Sequence, residues 1–491
     1  MNEHGLKPRL QVQEFNVVAS FSPSSTVRYN PSVRRILICI VVALHCAQAR
    51  ADSGTVLVFP FENVSNDRTL DWIGEGISEL IIERLQPEPG VYALSREERL
   101  GAFEKLGIPE TTMVSRATAL KLGWDVGADQ VVTGGFTGTI EKFQIAARLI
   151  NMETGAAEQI TAEGKLADVI PTSMSVAWQV LKKIVPGTAS PETDYIARPP
   201  TPRSAFENYI RGILNQDLSK RIELLQTAVR LHPQYASAIF QLGRSYHLQR
   251  DFKNSNEWLR KIPETSFLRG EAQFFAGLNY FYLTDYPSAV TTFQSLPPAY
   301  DVLLNLGSVF SQKGDSAAAI ATWKRAAELD PLTSDAFFNM GYASFLKNDL
   351  DGATKNLNES LKLRSRDSEA LFLLGRTYEK QGRPDEGQKA IAQASRLSQR
   401  VERWLNQPLP KLERVAAAPL FRSHNEIWTD KRLARRARSQ DLSTWLESIQ
   451  TDIDSYLLGD ALRELEDVIR IYPESPEPRS VLEEVHRQQS R

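Results

Sequence analysis

The sequence predicts a small α/β domain followed by an all-α solenoid of helix-turn-helix repeats, and three observations carry that prediction. Glycines recur at Gly243, Gly277, Gly307, Gly341 and Gly375, separated by 34, 30, 34 and 34 residues, a period that suits one helical hairpin per repeat. Upstream, Thr55 to Phe61 is a short β-rich run, followed by a polar turn and by Leu70, Ile73, Ile77, Leu80, Ile81 and Leu85 at helical spacing. That reads as strand, loop, helix. Between the two regions, Pro186 to Pro202 holds five prolines, a composition that predicts a helix-free spacer.

The bulk numbers fit a soluble, several-unit protein. At 491 residues the chain exceeds one ordinary core, so two or three folded units are expected. With 58 basic and 60 acidic residues the formal net charge is -2, which gives no long-range field toward nucleic acid or anionic lipid. Both cysteines, Cys39 and Cys46, lie near the amino terminus, excluding a disulfide framework or a Cys-based metal site from the rest. The histidines His4, His45, His232, His247, His424 and His486 are too scattered for a local ligand pair, so neither a metal nor another cofactor is expected.

Residues 1–51 read as a polar leader and a secretory signal. Arg34 and Arg35 precede the apolar run Ile36 to Leu44, and Ala47, Ala49 and Ala51 supply A-x-A sites, so cleavage is expected after Ala49 or Ala51. Ile36 to Ala49 is about 21 Å long as a helix, short of the roughly 30 Å of a bilayer core. No transmembrane span is expected after cleavage. The segment before Arg34 is long for a signal, and a start at Val33 instead of Met1 gives ordinary proportions. His45 is a poor residue to precede a lipidated Cys46.

Residues 52–186 read as the α/β domain. After the first strand and helix, Val91 to Ser95 suits a second strand, and Arg96 to Leu106 and Ser115 to Leu122 suit helices, the latter stopping at Gly123. Gln130 to Thr133 is β-branched. Lys142 to Asn151 alternates, with Phe143, Ile145, Ala147 and Leu149 on one side, and Glu153-Thr154-Gly155 turns the chain back through Ala156 to Ala162. Thr172 to Ile184 closes the unit as an amphipathic helix. Gly74-Glu75-Gly76 lacks the Lys and third glycine of a phosphate loop. Trp72 and Trp124 suit core packing, and Asp71, Glu75 and Glu79 suit a solvated acidic helix face.

Three blocks of this region, Val56 to Ser65, Asp71 to Leu80 and Gly127 to Gly134, resemble the amino-terminal domain of the TolB translocation protein and the related curli-secretion lipoprotein group. The resemblance implies an envelope-facing binding module without an active site. Curli-type members form export channels as lipoproteins, and His45 before Cys46 departs from their pattern.

After a linker over 187–203, residues 204–400 read as about six hairpins. In the best copy Leu306-Gly307 is followed by Phe310, Gly314, Ala319, Trp323, Ala326 and Pro331, and this set resembles the tetratricopeptide repeat. A connector over 401–437 holds all but the last residue of the basic cluster Lys431, Arg432, Arg435, Arg436 and Arg438, suited to a solvated face or to lipid headgroups or an acidic partner. Residues 438–491 read as a final hairpin over Leu442 to Pro473 with Val481 to Gln489 as a cap.

The tetratricopeptide resemblance implies a concave surface lined by first helices. Carried onto this chain, the partner-binding positions are Arg244 and His247; Leu278 and Phe281; Ser308 and Ser311; Tyr342 and Phe345; Arg376 and Glu379. Phe240, Phe274, Leu304, Phe338 and Phe372 join that lining, with packing between repeats the competing role for the phenylalanines. An aromatic middle with polar ends suits an extended or helical peptide. Arg244 and Arg376 are too far apart for a carboxylate clamp. No nucleophile with a local base, metal spacing or nucleotide loop appears, so the expected function is a non-enzymatic, exported scaffold that binds proteins or peptides. The alternative is a subunit of an envelope export assembly that oligomerises through the α/β domain.

Overall fold

The computed structural model describes residues 54–489 except 66, 89–90, 106, 110–114, 188–190, 197–200, 406, 419–441, 443–445, 447–448, 451–452, 455–457 and 474. The signal segment and the basic cluster of 431–438 lie outside the described residues.

The amino-terminal part is a mixed sheet with helices. β1 (Gly54–Val58), β2 (Glu62–Asn63), β3 (Val91–Ala93), β4 (Gln130–Gly138), β5 (Phe143–Asn151) and β6 (Ala157–Gly164) form one sheet in the order β3-β1-β4-β5-β6, with β2 also on β4. β1 is parallel to both β3 and β4, which is why its Val56, Leu57 and Val58 form an unbroken apolar run: parallel strands are covered on both faces. β4, β5 and β6 are antiparallel neighbours. β5 buries Phe143, Ile145, Ala147 and Leu149 on one side, and its return turn uses Gly155 at φ +68, with Asn151 accepting from the Glu153 and Thr154 amides at 2.9 and 3.0 Å. The helices Trp72–Leu85 and Val169–Ile184 complete the core.

Three sequence expectations need correction here. The helix Arg116–Asp125 runs through Gly123; a Cβ there would lie 2.6 Å from Val131, so this glycine lets helix and strand approach. The left-handed stop is Gly127 at φ +67. The proline-rich stretch contains a short helix, Glu192–Ile196, because Tyr195 buries its ring and donates its hydroxyl to Arg84 O at 3.0 Å. Glu75 and Glu79 are not a solvated face: Glu75 is buried against Arg96 and Arg99, and Glu79 accepts from the Tyr209 hydroxyl at 2.8 Å.

Six helix pairs follow: 203–214 with 218–231, 236–248 with 252–259, 269–282 with 286–294, 300–312 with 316–329, 334–346 with 350–363, and 368–380 with 384–397. The marker glycines sit where the two helices of a pair touch. A Cβ would lie 2.7 Å from Leu259 at Gly243, 2.8 Å from Phe293 at Gly277, 2.7 Å from Leu357 at Gly341 and 2.6 Å from Ile391 at Gly375, and would overlap the Trp323 indole at Gly307. Each partner lies sixteen residues after its glycine.

The turns within pairs repeat as strictly. Arg250, Thr284, Gly314, Asn348 and Gly382 all take positive φ, which ends the first helix as a left-handed cap. In four of these turns the next residue is an aspartate, Asp251, Asp285, Asp315 or Asp349, whose carboxylate accepts the amide of Asn254, Ser288, Ala318 or Gly352 and caps the second helix. In the sixth pair Pro384 at the first helical turn takes over.

The short helix Arg400–Leu405 closes the sixth pair. Val401 is fully buried with Phe372, Ile391 and Ala394, and the Trp404 ring lies 5.5 Å from that of Phe372. The last pair, Leu458–Ile471 with Glu477–Gln489, packs against the helix Leu350–Leu363 of the fifth pair. Gln489, expected in an end cap, donates to Lys362 O at 2.7 Å. Val481, Leu482 and Val485 of the same helix pack on the last hairpin's Ala461, Leu465 and Val468, while 400–405 covers the end of the sixth pair. The first helix expected over 442–456 lies partly outside the described residues, and its Ile449 and Ile453 join the same cluster.

Candidate partner-binding groove

The first helices of the fourth, fifth and sixth pairs hold a stretch of extended chain, Leu409–Ala416, from this same polypeptide. Two asparagines grip its backbone. Asn305 donates to Ala416 O at 3.0 Å and accepts from Ala416 N at 2.7 Å; Asn339 does the same at Arg414, at 2.9 and 2.8 Å. Asn305 and Asn339 are 1% and 0% exposed. Each therefore satisfies both its amide donor and its acceptor on the N–H and C=O of one residue, which avoids the about 1–3 kcal/mol of an unsatisfied buried polar group.

Side chains add chemical identity. The Arg414 guanidinium donates to Asp335 at 2.9 Å and Asp367 at 2.8 Å, approaches Glu369 at 3.3 Å, and stacks 3.6 Å above the Phe338 ring. Burial alone would lower its pKa, but Asp367 and Asp335 reverse that and hold it above the usual arginine value. Leu412 is buried with Phe338, Tyr342 and Phe345. Leu412, Arg414 and Ala416 are spaced by two, as one face of an extended chain requires. Glu413 accepts from Ser311 and Gln312, both at 2.8 Å, and Lys411 donates to Gln312 at 2.8 Å.

Residues 304–355 and 368–400 match family models described as tetratricopeptide repeats. These helix pairs are tetratricopeptide repeats. Solved structures similar to the chain include a TPR protein, YrrB, titled as having an unusual peptide-binding site, at 18% identity and TM-score 0.30 over 36% of this chain and 94% of that one. PilF of Pseudomonas aeruginosa is 16% identical at TM-score 0.34, covering 41% and 97%. PilW, titled as a type IV pilus biogenesis factor, is 19% identical at TM-score 0.35, covering 42% and 96%. No curated protein matches the chain.

The tetratricopeptide positions carried over from the sequence divide by location. Ser308 donates toward Leu304 O at 3.0 Å and Arg414 O at 3.1 Å, Ser311 meets Glu413, and the Tyr342 hydroxyl donates to Pro410 O at 3.3 Å. Phe345 is buried in the Leu412 cluster, with Lys380 4.4 Å above its ring. Arg376 pairs with Glu379 at 3.0 Å. Arg244 pairs instead with Glu97 of the α/β part; burial alone would raise the Glu97 pKa, but Arg244, the Gln241 hydrogen bond, a backbone hydrogen bond and Arg96 together more than reverse that and bring it down to about 2. His247 bonds Asn279 at 2.6 Å, and burial lowers its pKa despite that bond. Leu278 is core and Phe281 half-buried beside Tyr282 and Tyr286. Phe240, Phe274, Leu304, Phe338 and Phe372 are all buried.

Asn305 and Asn339 were not among the expected lining positions. Each stands two residues before its marker glycine, 34 residues apart, and a polar amide recurring there in consecutive repeats is the signal that finds them. Among the described residues no group of His, Cys, Asp and Glu suits a metal ion, and no helix is long and apolar enough to cross a membrane.

Proposed function

We propose that this protein is an exported, non-enzymatic scaffold of the cell envelope that holds partner proteins through its tetratricopeptide groove, while its TolB-like α/β domain engages a second envelope component. The observation that carries the reading is the pair Asn305 and Asn339, each of which grips both the amide and the carbonyl of one residue of an extended segment. Main-chain recognition of this kind suits protein ligands. The three TolB-like blocks support the second half: β1 pairs with β4, bringing the first and third together. Gly74 and Gly134 both pack on Phe61, where a side chain would collide. Their glycines thus serve packing, in keeping with a binding module. Export rests on the signal-like sequence of residues 34–51.

The test is to express the tagged chain in a Gram-negative host, fractionate the cells, and identify the mature amino terminus and co-purifying proteins by mass spectrometry. A start at Arg50 or Asp52, with discrete envelope proteins bound, is expected. An unprocessed cytoplasmic chain overturns the envelope role.

A further inference from the structure

We infer that the groove of the fourth to sixth repeats reads extended peptides bearing an apolar residue two positions before an arginine, and that Leu409–Ala416 occupies it in cis as an exchangeable strap. The inference rests on the scaffold reading and names the ligand chemistry for it.

The site is built for a ligand in three respects. Its backbone contacts are independent of the strap's sequence, because an amide side chain that both donates and accepts grips any extended residue other than proline. Its side-chain selectivity is concentrated at two places, the apolar cluster around Leu412 and the cluster of Asp335, Asp367 and Glu369 around Arg414. Asp335 also faces Arg364 at 3.7 Å, but Asp367 and Glu369 converge on the same point, and carboxylates so placed repel one another unless a cation sits among them, so the vacated groove favours a guanidinium, whose fork and flat face suit both the carboxylates and Phe338. Finally, the strap has no helix or strand of its own. Its polar contacts run to the repeats, so another peptide can replace them one for one.

Tethering decides what the resting protein does. A segment beginning a few residues after the helix 400–405 faces its site at an effective concentration of order millimolar. A free peptide of micromolar intrinsic affinity is then weakened on the order of a thousandfold. The groove is closed to weak ligands and opens to partners that supply the same motif at high local concentration or bind a second surface.

The probe is a fluorescein-labelled peptide of residues 407–418, titrated by anisotropy into the full chain. Arg414→Ala in the protein weakens the strap, and that variant is expected to bind the peptide at least tenfold more tightly than the wild type. Adding Asn339→Ala removes the gain, and a peptide carrying Arg414→Ala does not bind. Equal binding to wild type and Arg414→Ala, with unchanged circular dichroism, overturns the inference. Should Arg414→Ala fail to fold, hydrogen exchange on the wild type decides. The Arg414 and Ala416 amides are protected by the two asparagines, and excess peptide should accelerate their exchange while leaving the repeat helices protected; no acceleration overturns the strap. Export and co-purification do not depend on these outcomes, so the scaffold reading stands or falls separately.

Discussion

Thr284 takes a positive φ of 62, a conformation that costs a β-branched residue about 1–2 kcal/mol. Its backbone does in the third pair what Gly314 and Gly382 do in the fourth and sixth. Thr284→Gly should therefore stabilise the protein by up to about 1 kcal/mol after glycine's entropy cost, seen as a higher urea midpoint. A lower midpoint would show that the threonine side chain contributes more than its strain. The converse holds at Gly307, where Gly307→Val drives a side chain into the Trp323 indole and should cost about 1–3 kcal/mol by the same measurement. Asp315→Ala removes the cap on the Ala318 amide, with an expected loss of about 1 kcal/mol. Glu79 adds a pH effect: burial first, then Glu75 and Glu97, push its pKa up to about 8. The folded state holds that proton between about 4.5 and 8 while the unfolded chain has released it, so this group's contribution to stability falls as pH rises through that window. Melting temperatures of Glu79→Gln measured against wild type at pH 5 and pH 8 should diverge in favour of the variant at pH 8.

At the scale of elements, the helices of the second to sixth pairs were legible because three local signals coincide in each: the glycine, the residue sixteen positions later, and the left-handed turn between them. β5 was legible from its alternation. The elements that escaped depend on distant partners. The helix Glu192–Ile196 exists because Tyr195 finds the Trp72–Leu85 helix, and nothing within the proline-rich stretch announces that. Glu75 and Glu79 look like a wet face until Arg96, Arg99 and Tyr209 arrive from outside their helix. The strap puts an arginine between the apolar Leu412 and Ala416 of its buried face, so no alternation of apolar and polar residues marks it in the sequence; its anchors Asn305 and Asn339 were legible in principle through their shared offset from the marker glycines. At this scale Trp404→Ala should loosen the sixth pair, since it uncovers Phe372. Its cost should fall below the roughly 3–5 kcal/mol of a fully buried tryptophan, with faster amide exchange across 384–397 as the readout.

In the whole molecule the α/β part and the first repeats share one apolar core. It runs from Val56 in β1 to Val309 in the fourth pair. The boundary between them is sealed by the Trp72 and Phe206 rings at 6.0 Å, the Glu79 and Tyr209 hydrogen bond, and the Glu97 and Arg244 ion pair. Two folded regions joined in this way should open together, whereas a solenoid ordinarily frays repeat by repeat. Native-state hydrogen exchange should accordingly give β4, β5 and the helix 236–248 a common opening free energy, with 384–397 opening at a lower one. Independent protection of the sheet would show that the shared core does not couple them.

The strap also has a consequence in time. A polypeptide made from its amino end presents the groove of the fourth to sixth repeats before the segment that fills it. Leu397 closes the last of those helices and Ala416 ends the strap, so the ribosome must add 416 − 397 = 19 residues between them. At about 5–20 residues per second that interval is roughly 1–4 s of synthesis, and a chain carried across a membrane amino end first delivers the groove and the strap in the same order. A partner on the far side that meets the emerging chain before the strap arrives competes with no tether.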